Sequence, residues 1–169
     1  ASVTGVIHYS FEHFELLATE TVTTTFDNTL SDETTTLVGD ANYLTVATYN
    51  LENIDVTDNK FDLFATDIVY NLRAPDILAV QEIQDADGAG NASTLSGATT
   101  AQGLIDAIFA ASGILYTYVE IAPDAANTTG GEPNGNIRNG YLYREDRVSL
   151  LEGSLALVID PAFATSRKP

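Results

Sequence analysis

The rhythm of apolar and polar positions changes along the chain. Residues 3–9 and 11–17 are rich in β-branched and aromatic side chains and predict two strands, and the Thr-rich 21–25 is a third candidate. The stretch TTTFDNTLSDETTTLVGDAN then carries few apolar anchors and reads as a linker. From Leu44 onward, strand and helix patterns alternate. LTVATYN (44–50) predicts a buried strand. Phe61, Phe64, Ile68 and Leu72 fall at helical spacing over 60–72, with Asp58 or Asn59 as N-cap, and Pro75 ends the helix. DILAVQE (76–82) is a nearly continuous apolar run, the pattern of a parallel strand covered on both faces. A second helix is predicted over 99–112 through Leu104, Ile105, Ile108 and Phe109, stopped by Gly113. LYTYVEIA (115–122) predicts a strand, and 123–136 a long turn-rich loop. IRNGYLYR (137–144) and RVSLLEGSLALVI (147–159) predict two more strands, joined tightly at Glu145–Asp146.

This order places the chain in the α/β class. Residues 44–82 form a βαβ unit, whose two strands should be parallel neighbours. The expected division is a β segment over 1–26, a linker over 27–43 and an α/β region over 44–169. A length of 169 residues suits one ordinary domain, or a small domain with part of another.

Charge narrows the partners. Seven Lys and Arg stand against 24 Asp and Glu, a net charge of −17. Such a surface repels nucleic acid unless a cation or a local basic patch intervenes. Residues 1–137 hold only Lys60 and Arg73 as bases, whereas 138–169 hold Arg138, Arg144, Arg147, Arg167 and Lys168. An anion is therefore expected near the C-terminal segments. Cysteine is absent, so disulfide frameworks and thiolate metal sites are excluded. No apolar run approaches a membrane span. The first ten residues lack the basic and apolar regions of a signal peptide. An acidic, Lys-poor, Thr-rich chain without cysteine fits a secreted bacterial protein in salty or calcium-rich surroundings.

Candidate chemistry lies at the ends of the parallel strands. Asn50 and Glu82 both fall at C-terminal strand ends, the edge where open α/β sheets bind ligands. An amide and a carboxylate side by side there suit a hard divalent cation, Mg²⁺ or Ca²⁺. Such an ion neutralises and polarises a phosphate. Asp85 and Asp87 in QDADGAGN mimic half a calcium loop, but the spacing and the terminal Glu are missing, so a solvated loop is expected. His8 and His13 read as ordinary strand histidines.

The residues themselves carry a resemblance. TYNLEN (48–53) and PDILAVQEIQD (75–85) resemble the endonuclease/exonuclease/phosphatase superfamily, the deoxyribonuclease-like proteins. GGEPNGNIRNGYLYREDRVSLLEG (130–153) and SRKP (166–169) are similar to its bacterial extracellular nuclease branch, so that the likeness runs from about Leu44 to Pro169. GVIHYSFEHFEL (5–16) looks like the end of the β-domain that precedes the nuclease domain in that branch. The resemblance implies part of a two-sheet α/β sandwich, preceded by the end of a small β region. It implies a secreted, extracellular hydrolase that cleaves DNA phosphodiester bonds with Mg²⁺ or Ca²⁺, with Mn²⁺ as a third candidate. By the same likeness, Asn50 orients phosphate and metal ligands, and Glu82 binds the metal. Arg167 approaches backbone phosphate, and Arg138 is a substrate-side base. Glu52 and Gln84 stand where pancreatic deoxyribonuclease, a member of that superfamily, has DNA-contacting arginines, so that contact is not carried over. The resemblance places the remaining acidic ligands and the catalytic histidine in a C-terminal half beyond Pro169, in the same or another chain.

Two other functions compete. A structural protein built from a nuclease-like half domain would self-assemble through bare sheet edges and an open face. A phosphomonoesterase of the same superfamily would share the metal chemistry.

Overall fold

The computed structural model describes residues 3–23, 30–90 and 94–161. The chain forms two compact units, residues 1–32 and 33–169. In the first, β1 (Gly5–Ser10) and β2 (His13–Ala18) form an antiparallel hairpin. Its two-residue turn, Phe11–Glu12, has φ of 46° and 65°. Both values belong to the turn type whose twist matches a tight hairpin. Residues 21–23 add no strand, and 24–25 lie outside the described residues.

The second unit is mixed α/β. Its four strands are β3 (Val46–Ile54), β4 (Ile77–Ile83), β5 (Thr117–Glu120) and β6 (Arg138–Tyr143), in the order β3-β4-β6-β5. β3 and β4 are parallel neighbours, as the βαβ pattern requires. β6 runs antiparallel to both β4 and β5.

Between β3 and β4 the chain forms α1 (Phe61–Thr66), which widens into a π-helical turn over Asp67–Asn71. The Leu72 N–H accordingly reaches back to the Asp67 carbonyl. The N-cap is Lys60 and has no side-chain bond. Asp58 does not cap the helix, because its Oδ2 accepts the Asp55 N–H at 3.0 Å instead. α2 (Ala98–Ser112) ends where Gly113 takes φ of 71° and donates to the Phe109 carbonyl.

Both helices cover one face of the sheet. Leu78, Val80 and Ile83 of β4 and Leu142 of β6 meet Phe64, Ile68, Leu104, Ile105 and Ile108 in one core. Phe109, expected there, is exposed, since it lies at the edge of the stripe formed by Ala101, Leu104, Ile105 and Ile108. The opposite face is more open than the run 76–82 suggested. Val46 and Tyr141 are exposed on it.

Residues 147–159 do not form the expected strand. They are irregular, with Leu151, Val158 and Ile159 exposed, and no strand pairs with them among the described residues. An apolar run adopts strand geometry only where a neighbour supplies its hydrogen bonds. Residues 148–157 instead lie over the open sheet face. They enclose a cavity of about 340 Å³ with Ile77, Val119, Tyr141 and Tyr143, and one of about 250 Å³ with Ala79, Gln81 and Asn139.

Candidate functional site

The C-terminal ends of β3 and β4 share an irregularity. Leu51 and Ile54 are both core residues, as are Val80 and Ile83. Each pair is three apart, whereas strict alternation buries every second residue. The chain absorbs the difference in bulges. Asn50 pairs with Gln81 and Ile54 with Ile83, so three residues of β3 oppose one of β4. Val80 pairs with Gly140 and Ile83 with Arg138, so two residues of β4 oppose one of β6. The backbone turns left-handed at Glu52 (φ 53°), Asn53 (φ 60°) and Glu82 (φ 61°). Glu52 and Glu82 are neither glycine nor asparagine, so both are strained.

Asn50 borders the first bulge, and Glu82 lies within the second. Asn50 is exposed, and its Oδ1 accepts the Glu52 N–H at 2.9 Å, which holds the first bulge. Glu82 is half-buried one residue beyond Gln81, the partner of Asn50. Its left-handed backbone lets both Val80 and Ile83 enter the core. The two residues offer a carboxylate and an amide oxygen, which suit a hard cation. Among the described residues, no three His, Asp or Glu side chains gather closely enough to hold a metal ion. Mg²⁺ fits such a sparse donor set, because it keeps several waters and takes only one or two carboxylates.

Arg138 is buried. Its Nη1 lies 2.8 Å from Glu120 Oε2, and its Nε and Nη2 donate to the Asn136 carbonyl. A phosphate would reach its guanidinium only by displacing Glu120. Glu120 in turn accepts from Ser96 Oγ at 2.7 Å and from the Gly97 N–H at 3.0 Å, which anchors the start of α2. Arg167 lies outside the described residues.

Beside Glu82, a buried polar network ties two loops together. Gln84 is fully buried, and its Nε2 donates to Glu132 Oε2 at 2.8 Å. Asp85 is fully buried as well, which overturns the solvated-loop expectation. Its Oδ2 accepts from Asn136 Nδ2 at 2.6 Å, and its N–H donates to the Gly135 carbonyl. Burial pushes the Asp85 carboxyl above the ordinary carboxylate range against the Asn136 bond, and contact with Asp87 pushes it further.

Sequence reasoning missed Glu120, Glu132 and Asn136, because their partners lie 18 to 51 residues away. The only local signal was an excess of Asn, Gly and acid in the two loops. Compared with known proteins, the chain matches no family model, no curated protein and no solved structure.

Proposed function

We propose that residues 44–169 are the N-terminal part of a secreted, divalent-metal-dependent nuclease domain that hydrolyses DNA phosphodiester bonds. One observation carries the reading. Two bulges with strained, non-glycine residues lie side by side at neighbouring strand ends, and they present Asn50 and Glu82 there. Backbone strain of this kind concentrates at functional sites. The open sheet face supports the finer expectation that a second sheet completes a sandwich.

Glu82 would hold Mg²⁺, Ca²⁺ or Mn²⁺, with Asn50 as an oxygen donor to the ion or an amide donor to phosphate. When bound, the metal supplies Lewis-acid stabilisation of the phosphate charge. The Glu52 N–H holds the Asn50 side chain before substrate arrives, so little reorganisation of that group is left for the reaction. Arg167 supplies a positive charge for backbone phosphate, and Arg138 positions the loop carrying Asn136. With −17 on the chain, the cation also has to offset repulsion between protein and DNA.

Plasmid nicking by the full-length protein tests this. Activity should need about millimolar divalent ion, and Glu82→Gln should remove at least about 99% of it. Near-normal nicking by the variant, or full activity in EDTA, would sink the assignment. Faster turnover of a small phosphomonoester than of DNA would favour a phosphatase instead. The exposed Val46 and Tyr141 favour a second reading, a self-assembling structural protein.

A further inference from the structure

The bases of the described residues divide unequally between the two ends of the sheet. β4 runs about 20 Å from Ile77 to Ile83. Arg73 precedes its start, and Arg144 and Arg147 follow Tyr143, the ladder partner of Ile77. All three therefore belong to the end remote from Glu82. Each is also engaged at 2.8 Å: Arg73 with the Thr35 carbonyl, Arg144 with Asp146 and Arg147 with Asp76. At the Glu82 end, Arg138 pairs with Ile83 in the ladder but is buried against Glu120.

Lys60 is the remaining base among the described residues. It reaches the Glu82 end, because its Nζ lies 3.5 Å from Oε2 of Glu52, inside the bulge that Asn50 borders. The hold is loose. The Lys60 side chain is 44% exposed and that of Glu52 70%. So exposed a pair contributes little, and a long flexible stem lets the ammonium turn elsewhere at small cost. The fold does not use the side chain either: Lys60 is the N-cap of α1 through its backbone, with no side-chain bond to the helix. Residues 50–62 otherwise carry only acids, Glu52, Asp55, Asp58 and Asp62. An anion that approaches Asn50 and Glu82 through them meets one mobile positive charge.

We propose that Lys60 binds a backbone phosphate of the DNA that lies across Asn50 and Glu82, giving up Glu52 for it; this rests on the nuclease reading above. Glu52 is then a placeholder. It keeps the ammonium at the strand end, and it competes with the substrate.

Nicking kinetics of the full-length protein, at fixed Mg²⁺ and varied NaCl, test this. Lys60→Gln should raise KM about tenfold, with kcat within about twofold, as for a contact equal in ground and transition states. The log–log slope of KM against salt should fall by about one, the share of a single phosphate contact. Lys60→Arg should keep the wild-type KM. Glu52→Gln should lower it, because competitor and repulsion go together. Arg73→Gln makes the same change in net charge at the remote end and should leave KM unchanged. An unaltered KM and salt slope in Lys60→Gln would overturn the contact. So would an equal effect from Arg73→Gln, which would reduce it to a general field, or a raised KM in Glu52→Gln. Nicking that survives Glu82→Gln would overturn the nuclease reading and this proposal with it. An enzyme that dies with Glu82→Gln yet ignores Lys60→Gln overturns this proposal alone.

Discussion

At the scale of single residues, one of the left-handed positions falls on a proposed metal ligand. Glu82 holds a left-handed backbone that glycine adopts freely, and an L side chain there costs roughly 1–2 kcal/mol. Glycine gives part of that back through the entropy of the unfolded chain. Glu82→Gly should therefore leave the protein as stable or up to about 1 kcal/mol more stable in urea, while nicking is lost. A large loss of stability would mean that the carboxylate serves the fold and not the site. The sequence singles out Asn50 and Glu82 because they close the apolar runs 44–50 and 76–82, although β3 continues to Ile54 and β4 to Ile83. The bulges beside them were not legible there. The only trace is the three-residue spacing of Leu51 to Ile54 and of Val80 to Ile83, which a strand reading passes over as scatter.

Between elements, the decisive contacts are ionic and distant in sequence. Asp76, just before β4, is 2% exposed. It accepts from the Thr45 backbone and hydroxyl and from Arg147 Nε at 2.8 Å, with Arg144 3.9 Å away. Arg147 also bonds the Asp40 and Tyr43 carbonyls. One carboxylate thus joins residues 40–45, β4 and the chain after β6. Burial alone would raise its pKa, but the Arg147 and Thr45 bonds outweigh this and hold it below the ordinary carboxylate range. A lowered carboxyl stabilises the fold above its unfolded value, and that contribution is lost as pH falls through the lowered one. Arg147→Gln should move the acid unfolding midpoint to higher pH, read by circular dichroism; an unchanged midpoint would remove Asp76 from the acid limb. Helix and strand periodicity reveals β3, α1, β4 and α2, because each carries its own apolar stripe. It cannot reveal which acid meets which arginine, and it misread 147–159, where apolar content was present without a pairing neighbour.

At the scale of the whole molecule, the sheet is covered by helices on one face and by irregular chain on the other. The exposed Val46 and Tyr141, with two cavities beneath residues 148–157, leave apolar surface in contact with water. If the assembly reading holds, size-exclusion chromatography of the 18.0 kDa chain should show species larger than a monomer that shrink on dilution. A monomer at all concentrations would remove that reading and leave the nuclease proposal standing. The strand order has a consequence for biosynthesis. β4 occupies an interior position, and its second neighbour, β6, is translated 55 residues after β4 ends (138 − 83). Until residue 143 has cleared the ribosome, β4 presents a bare edge of Ile, Leu, Ala and Val to the nascent-chain environment. Folding of this unit is thus a late event in translation, and a ribosome stalled before β6 would display a sticky strand in need of a chaperone.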